Sequence, residues 1–149
     1  MTKKKKIVVG SIVLLFVVCG LIWWLMPVHF LREVESQEVA AIVVFNGNNG
    51  DEFEVTNSDD ISYIVDSIKQ ITLRKDNFTS GVDYYYILTF TNGNGEDIDS
   101  FGIQNYYFMR RGDIFYRCNG ELDTIAEYLE NLEAIRFPDY NKDPDFPYS

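Results

Sequence analysis

The sequence is poor in the side chains that most enzymes and metal sites use. It has one histidine, His29, which follows a long apolar segment, and two cysteines, Cys19 inside that segment and Cys118 far beyond it. No Ser/His/Asp or Cys/His arrangement and no zinc site can be assembled from so few groups. Phosphate-binding loops of the GxxxxGK[ST] type and GxSxG elbows are absent as well. We therefore expect no enzymatic activity, no cofactor and no disulfide between the two cysteines.

Basic residues are also scarce once the apolar segment has ended. Four lysines, Lys3 to Lys6, precede that segment, so from Pro27 onward 13 − 4 = 9 basic residues are set against 23 acidic ones, and 9 − 23 gives a net charge of −14. Such a surface repels nucleic-acid phosphates, and we expect no nucleic-acid partner. By the same reasoning we expect this part of the chain not to be attracted to anionic lipids.

The apolar segment, residues 7–26, contains no charged residue. A helix of this length extends ~30 Å at ~1.5 Å per residue, which matches the hydrocarbon core of a bilayer. We predict a single-pass transmembrane signal-anchor helix in the cell membrane. Residues 1–6 should lie in the cytoplasm, because lysines favour that side, and the rest of the chain should be extracytoplasmic. Trp23 and Trp24 then fall near the outer interface.

Two other interpretations of this segment remain open. A cleaved secretory signal has a shorter apolar core followed by a small-residue cleavage site, and no such site follows this run. A lipoprotein signal would be acylated at Cys19, but Val18 stands where the bacterial lipobox has a small residue. The signal anchor agrees best with the length and the flanks of the segment.

The pattern after the anchor indicates a small α+β domain over residues 39–136. Residues 27–38 show little pattern, and we predict a juxtamembrane stalk there. Apolar stretches with helical spacing at 61–71 and 122–132 predict two helices packed on one face of an antiparallel sheet of five or six strands. The tail, residues 137–149, is acidic and aromatic and holds three of the four prolines, so we expect it to be extended or disordered.

The strands are predicted from β-branched and aromatic runs that end at Asn/Gly turns. The polar connection after the first helix, residues 74–83, has room for one short edge strand. Asn57 or Ser58 should cap the first helix. The main strand predictions are 39–45, 51–56, 84–91 and 98–103, followed by a hairpin over 106–118.

Two turns rich in oxygen-bearing side chains, residues 46–52 and 92–97, suggest calcium as a ligand. They resemble the EF-hand loop loosely, because Asn46 replaces its first aspartate and no flanking helices are predicted. Ordinary hairpin turns have the same composition. A calcium-stabilised structural or adhesion module therefore stays open as an alternative.

The tripeptide Arg111, Gly112 and Asp113 is predicted at the tip of the last hairpin. The same tripeptide is bound by integrins in adhesive extracellular ligands, so it is a possible loop-tip contact. Gly-Asp is also common turn chemistry, which explains the sequence without adhesion.

Acidic pairs such as Asp97 with Asp99, or Glu121 with Asp123, could support a carboxylate-dependent hydrolase of envelope glycans. Among 23 acidic residues, pairs of this kind are also expected as solvated surface charges. The hydrolase therefore stays an alternative.

Tyrosines are the remaining signal for function. Tyr85, Tyr106, Tyr107 and Tyr116 lie in neighbouring strands and turns, where alternation directs some rings away from the helices. Tyrosine offers a large apolar area with a polar tip, and this suits a protein or glycan partner. The alternative is that these rings fill the core. We expect a membrane-anchored extracytoplasmic binding or regulatory module.

Overall fold

A computed structural model describes residues 3–76, 85–118 and 122–138 of the chain. These residues form three α-helices and one antiparallel sheet of seven strands. The predicted α+β class and antiparallel sheet are confirmed, but the predicted count of five or six strands is too low. The strand at 74–76 accounts for the difference. It consists of three polar residues, Arg-Lys-Asp. They show no alternation of apolar and polar residues, which is the pattern that predicts a paired strand.

The first helix, α1, spans Lys3–Leu25. Strands β1 (Ala41–Asn46) and β2 (Glu52–Val55) form a hairpin and lead into α2 (Ser58–Gln70). The remaining elements, in chain order, are β3 (Arg74–Asp76), β4 (Tyr86–Thr91), β5 (Asp97–Asn105), β6 (Phe108–Arg111), β7 (Ile114–Arg117) and α3 (Leu122–Arg136). The strand order in the sheet is β2-β1-β4-β5-β6-β7-β3, so α2 connects its two opposite edges.

Helix α1 is long and apolar enough to cross a membrane. None of the 18 residues from Val8 to Leu25 is buried against the rest of the protein. Soluble monomers rarely expose an apolar surface of that size. A signal sequence near an N-terminus passes the same test of length and composition.

The hydrophobic core lies between one face of the sheet and the two later helices. Helix α2 begins as predicted, because the side chain of Asn57 accepts hydrogen bonds from the backbone of Asp59 and Asp60. The buried side chains of α2 and α3 belong to one cluster with the core face of the sheet. The two helices also contact each other, since the rings of Tyr63 and Tyr128 lie 4.2 Å apart. One row of cross-strand partners on the core face runs Asn46, Tyr86, Ile103, Met109, Tyr116 and Lys75.

The segment predicted to be a juxtamembrane stalk, residues 27–38, is instead packed into the domain. Phe30 is 0 % exposed and contacts the rings of Phe101 and Tyr116, each at 4.9 Å. Val28 exchanges two backbone hydrogen bonds with Leu73, at 2.8 and 2.9 Å. Nothing in the sequence indicates this packing, because a single aromatic residue in an unpatterned stretch gives no periodic signal. The domain therefore begins within three residues of the end of α1.

Two predicted segments fall mainly outside the described residues. Of the tail over 137–149, only Phe137 and Pro138 are described, and Phe137 packs edge-on against Phe53 at 6.5 Å. The predicted edge strand within 74–83 is described only over its first three residues, which form β3.

Candidate functional site: tyrosines and carboxylates at one end of the sheet

One end of the sheet gathers tyrosine, asparagine and glutamate side chains from distant parts of the chain. Strand β1 ends at Asn46, which is the cross-strand partner of Tyr86 at the start of β4. Tyr85 precedes that strand, and its N–H donates to the carbonyl of Ile103 on β5 at 2.8 Å. Helix α3 passes this end and presents Glu130 and Glu133, which share a helix face at a spacing of three residues.

Glu133 is the centre of a polar cluster that we define as Asn46, Asn49, Tyr86 and Glu133. The amide nitrogen of Asn46 donates to both carboxylate oxygens at 2.9 Å, and that of Asn49 donates to one of them at 2.9 Å. The Tyr86 hydroxyl donates to the other oxygen at 2.9 Å. Asn46 is buried, and a buried amide needs such partners to offset its lost hydration. The polar cluster therefore fixes α3 to the β1–β2 turn.

The β1–β2 turn is held by its own asparagines. The side-chain oxygen of Asn46 accepts from the N–H of Asn48, and that of Asn49 accepts from the N–H of Asp51, both at 2.8 Å. Gly50 has φ +81°, a backbone conformation that glycine adopts without strain. Two of the side-chain oxygens that the calcium hypothesis counted as ligands, those of Asn46 and Asn49, are thus engaged by backbone N–H groups.

The second turn of the calcium hypothesis, residues 92–97, is arranged in the same way. The side-chain oxygen of Asn92 accepts from the N–H groups of Asn94 and Glu96, at 2.9 and 3.0 Å. In the part of the chain that the structure describes, no three His, Cys, Asp or Glu side chains are grouped so that they could hold a metal.

Two of the four tyrosines proposed from the sequence, Tyr85 and Tyr106, lie together next to the polar cluster, and Tyr107 follows Tyr106 in the β5–β6 turn. We call Tyr85, Tyr106, Tyr107 and Glu130 the tyrosine site. The Tyr85 hydroxyl donates to Glu130, and its ring lies 6.3 Å from that of Tyr106. Tyr106 and its neighbour Tyr107 are 48 % and 58 % exposed. The site thus joins exposed aromatic area to a carboxylate.

The tyrosine site is supported by Tyr86 of the polar cluster, against which Tyr85 packs. The rings of Tyr85 and Tyr86 meet edge to face at 5.0 Å, an arrangement that aromatic quadrupoles favour. Burial, and then the carboxylate of Glu130, raises the pKa of Tyr85. Burial and the charge of Glu133 raise the pKa of Tyr86. Both hydroxyls therefore remain protonated donors at neutral pH.

The fourth proposed tyrosine, Tyr116, lies elsewhere. It is 6 % exposed and packs edge-on against Phe30 in the core, at 4.9 Å and 78°. It therefore adds no area to the tyrosine site. The sequence could not decide this, because Phe115 and Tyr116 place an aromatic ring on both faces of β7.

The proposed loop-tip contact is not assembled in the structure. The side chain of Arg111 turns back over the core face, where it pairs with Asp99 and lies 3.8 Å above the ring of Phe30. Gly112, with φ +57°, forms the turn, and the exposed Asp113 pairs with Arg110 at 3.5 Å. Because Arg111 follows Met109 by two residues in β6, strand alternation assigns both to the core face.

Only one of the two acidic pairs suggested for hydrolysis, Asp97 with Asp99, lies within the described residues. Asp99 is engaged by Arg111, whereas Asp97 is exposed at the start of β5. Burial raises the pKa of Asp99, and the guanidinium of Arg111 opposes that shift without cancelling it. Of the other pair, Asp123 is exposed at the start of α3, and Glu121 lies outside the described residues.

Comparisons of the chain with models of known families, with curated proteins and with solved structures give no match. The function must therefore be argued from the geometry of the chain itself.

The sequence did not reveal Glu130 or Glu133 as members of a site, and it indicated Asn46 only as a residue of a possible calcium loop. Asn46 and Glu133 are 87 positions apart in the chain, and only the tertiary fold joins them. Glutamate on the polar face of a helix is ordinary, so the sequence contains no signal that distinguishes these two from their neighbours.

Proposed function

We propose that this protein is a membrane-anchored, extracytoplasmic binding or regulatory module without enzymatic activity, and that it binds its partner through the tyrosine site. The observation that supports this most is the exposed ring of Tyr106 beside Tyr85, whose hydroxyl donates to Glu130, with the exposed Tyr107 next to Tyr106 in the chain. Large aromatic side chains on a rigid base dominate the binding energy of many interfaces, because ordering them costs little entropy.

The chemistry of the tyrosine site favours a cationic protein segment. Tyrosine faces attract ammonium and guanidinium groups, and the Glu130 carboxylate attracts the same groups. The net charge of −14 after residue 26 strengthens this preference at longer range, through steering of a basic partner. A glycan, which stacks on tyrosine without needing a charge, is the second partner class.

The anchor supports the location. The apolar part of helix α1 is long enough to span a bilayer, and the lysines in its first turn favour the cytoplasmic side. The packed segment after α1 then keeps the domain near the membrane. Tyr86 on β4 and Lys75 on β3 belong to the same row of cross-strand partners and are four strands apart. At ~4.8 Å between neighbouring strands, the distance between them is about 19 Å. Lys75 contacts Trp23 of α1, so the partner should also be close to the membrane surface.

Site-specific photocrosslinking in intact cells tests this proposal. A photoreactive phenylalanine analogue replaces Tyr106 or Tyr107 in the full-length protein, and Tyr63 serves as the control because it is an exposed tyrosine on α2. We expect a discrete adduct from both site positions and none from Tyr63. Equal labelling from all three positions, or none from the site, would contradict the proposal.

Two further measurements separate the other interpretations. A protease added to intact cells should degrade the C-terminal domain if it lies outside, and protection of the domain would contradict the topology. The purified protein should also leave envelope glycans intact. Hydrolysis that is lost on substitution of Glu130 would favour the glycan hydrolase instead.

A further inference from the structure

We propose that Arg74 and Arg117, on the sheet face opposite Lys75, form a binding site for the phosphate of anionic phospholipid headgroups, beside the point where α1 leaves the membrane. The inference rests on the part of the proposed function that places α1 across a bilayer. It assigns an orientation to the domain, with the edge formed by β3 and β7 against the headgroups.

Position is the first argument. The Lys75 ammonium donates to the backbone carbonyl of Trp23 at 3.0 Å and lies 3.2 Å above the centre of its ring. Val28 and Leu73 exchange backbone hydrogen bonds, and Leu73 immediately precedes Arg74. Lys75 thus connects β3 to the last turn of α1, and Leu73 connects the start of β3 to Val28, three residues after α1. Tryptophan at the end of a spanning helix lies at headgroup level, and β3 must lie there too.

Charge is the second argument. Arg74 and Arg117 are direct cross-strand partners on the same face of the sheet, and like charges in that relation repel. Asp76 pairs with Arg117 at 2.9 Å, and Arg117 remains more than half exposed. Arg74 is exposed, and no ion pair joins it to another described residue. A phosphate between the two guanidinium groups would relieve their repulsion with charge-assisted hydrogen bonds.

The acidic composition of the domain does not prevent this. Glu52 and Glu54 are exposed on β2, at the opposite edge of the sheet. Six strand steps of ~4.8 Å separate β2 from β3, or about 29 Å. The Debye length at physiological ionic strength is about 8 Å, so charges on β2 are screened at the β3 edge. The expectation of no attraction to anionic lipids was drawn from the net charge of the whole domain. That sum takes no account of the distance between the acidic residues of β2 and the basic residues near β3.

The test uses the full-length protein in nanodiscs of phosphatidylcholine with a minor fraction of phosphatidylglycerol. Native mass spectrometry measures which lipid remains bound. We expect the natural protein to retain phosphatidylglycerol in preference. Each headgroup-level arginine contributes about a fivefold preference, so Arg74→Gln should lose about fivefold and Arg74→Gln with Arg117→Gln should lose more.

The control variants keep the inference falsifiable. Arg32→Gln removes the same charge from an exposed position near α1 and should leave the preference unchanged. Arg74→Lys keeps the charge and should retain most of the preference. Equal loss in Arg32→Gln, or no loss in the double variant while its thermal unfolding stays normal, would overturn the inference. Failure of the protein to enter nanodiscs would refute the anchor as well, whereas insertion without lipid preference refutes this inference alone.

Discussion

Replacement of Phe30 by alanine measures whether the segment after α1 belongs to the core. The ring is fully buried between Phe101 and Tyr116, with the Arg111 guanidinium above it. Truncation of a buried phenylalanine to alanine costs about 3–5 kcal/mol. Loss of the cation–π contact adds about 0.5–2 kcal/mol. We therefore expect Phe30→Ala to lower the free energy of unfolding by about 3.5–7 kcal/mol, a large part of the stability of a domain this size.

The assay is urea and thermal unfolding of a fragment that begins at residue 27, followed by circular dichroism. At about 4 °C per kcal/mol the melting temperature should fall by about 14–28 °C. Arg32→Ala, two residues away and exposed, is the control and should change stability by less than about 0.5 kcal/mol. If Phe30→Ala were as mild as Arg32→Ala, residues 27–38 would be a spacer and our account of the core would be refuted.

Three other predictions concern the polar contacts. Glu133→Gln should lower the free energy of unfolding by about 1–3 kcal/mol in urea titration, because buried Asn46 loses its ionic acceptor; an unchanged midpoint would contradict the role of the cluster. Asn57→Ala should cost about 1 kcal/mol by removing the cap of α2, whereas Asn57→Ser should cost little. The hydrogen bond to Asp60 raises the pKa of Tyr128 to about 12, so the stability that it gives is complete below about pH 10 and is lost as pH rises through 12. Tyrosinate absorbance and unfolding at each pH should show a smaller alkaline loss in Tyr128→Phe, and an identical loss would contradict the assignment.

The elements with strong local patterns were predictable from the sequence. The stripe from Ile61 to Ile68 and the cap at Asn57 define α2, because both signals depend only on neighbours within two turns. The apolar and aromatic runs similarly identify most strands. The charge-free run over residues 7–25 of α1 is equally local. Each of these follows from backbone geometry and burial, without knowledge of the tertiary fold.

The long-range features were not predictable. Phe30 has no periodic partner in its own segment, and its burial follows from contacts with residues more than 70 positions away. The inward direction of Arg111 depends on Asp99 in the neighbouring strand. The exposed position of Tyr106 and Tyr107 depends on where the β5–β6 turn falls. Pairing register and strand order decide these features, and one sequence does not specify them.

The path of α2 from one edge of the sheet to the other has a consequence for synthesis. Strand β3 is completed before β4, but its partner is β7, and four strands are later inserted between β1 and β3. A chain emerging from the ribosome can form the β1–β2 hairpin and α2 early. Strand β3, however, has no partner until β7 has been synthesised. Closure of the domain is therefore one of the last events of its folding, and a chain cut short after β5 will leave its N-terminal half without a finished core.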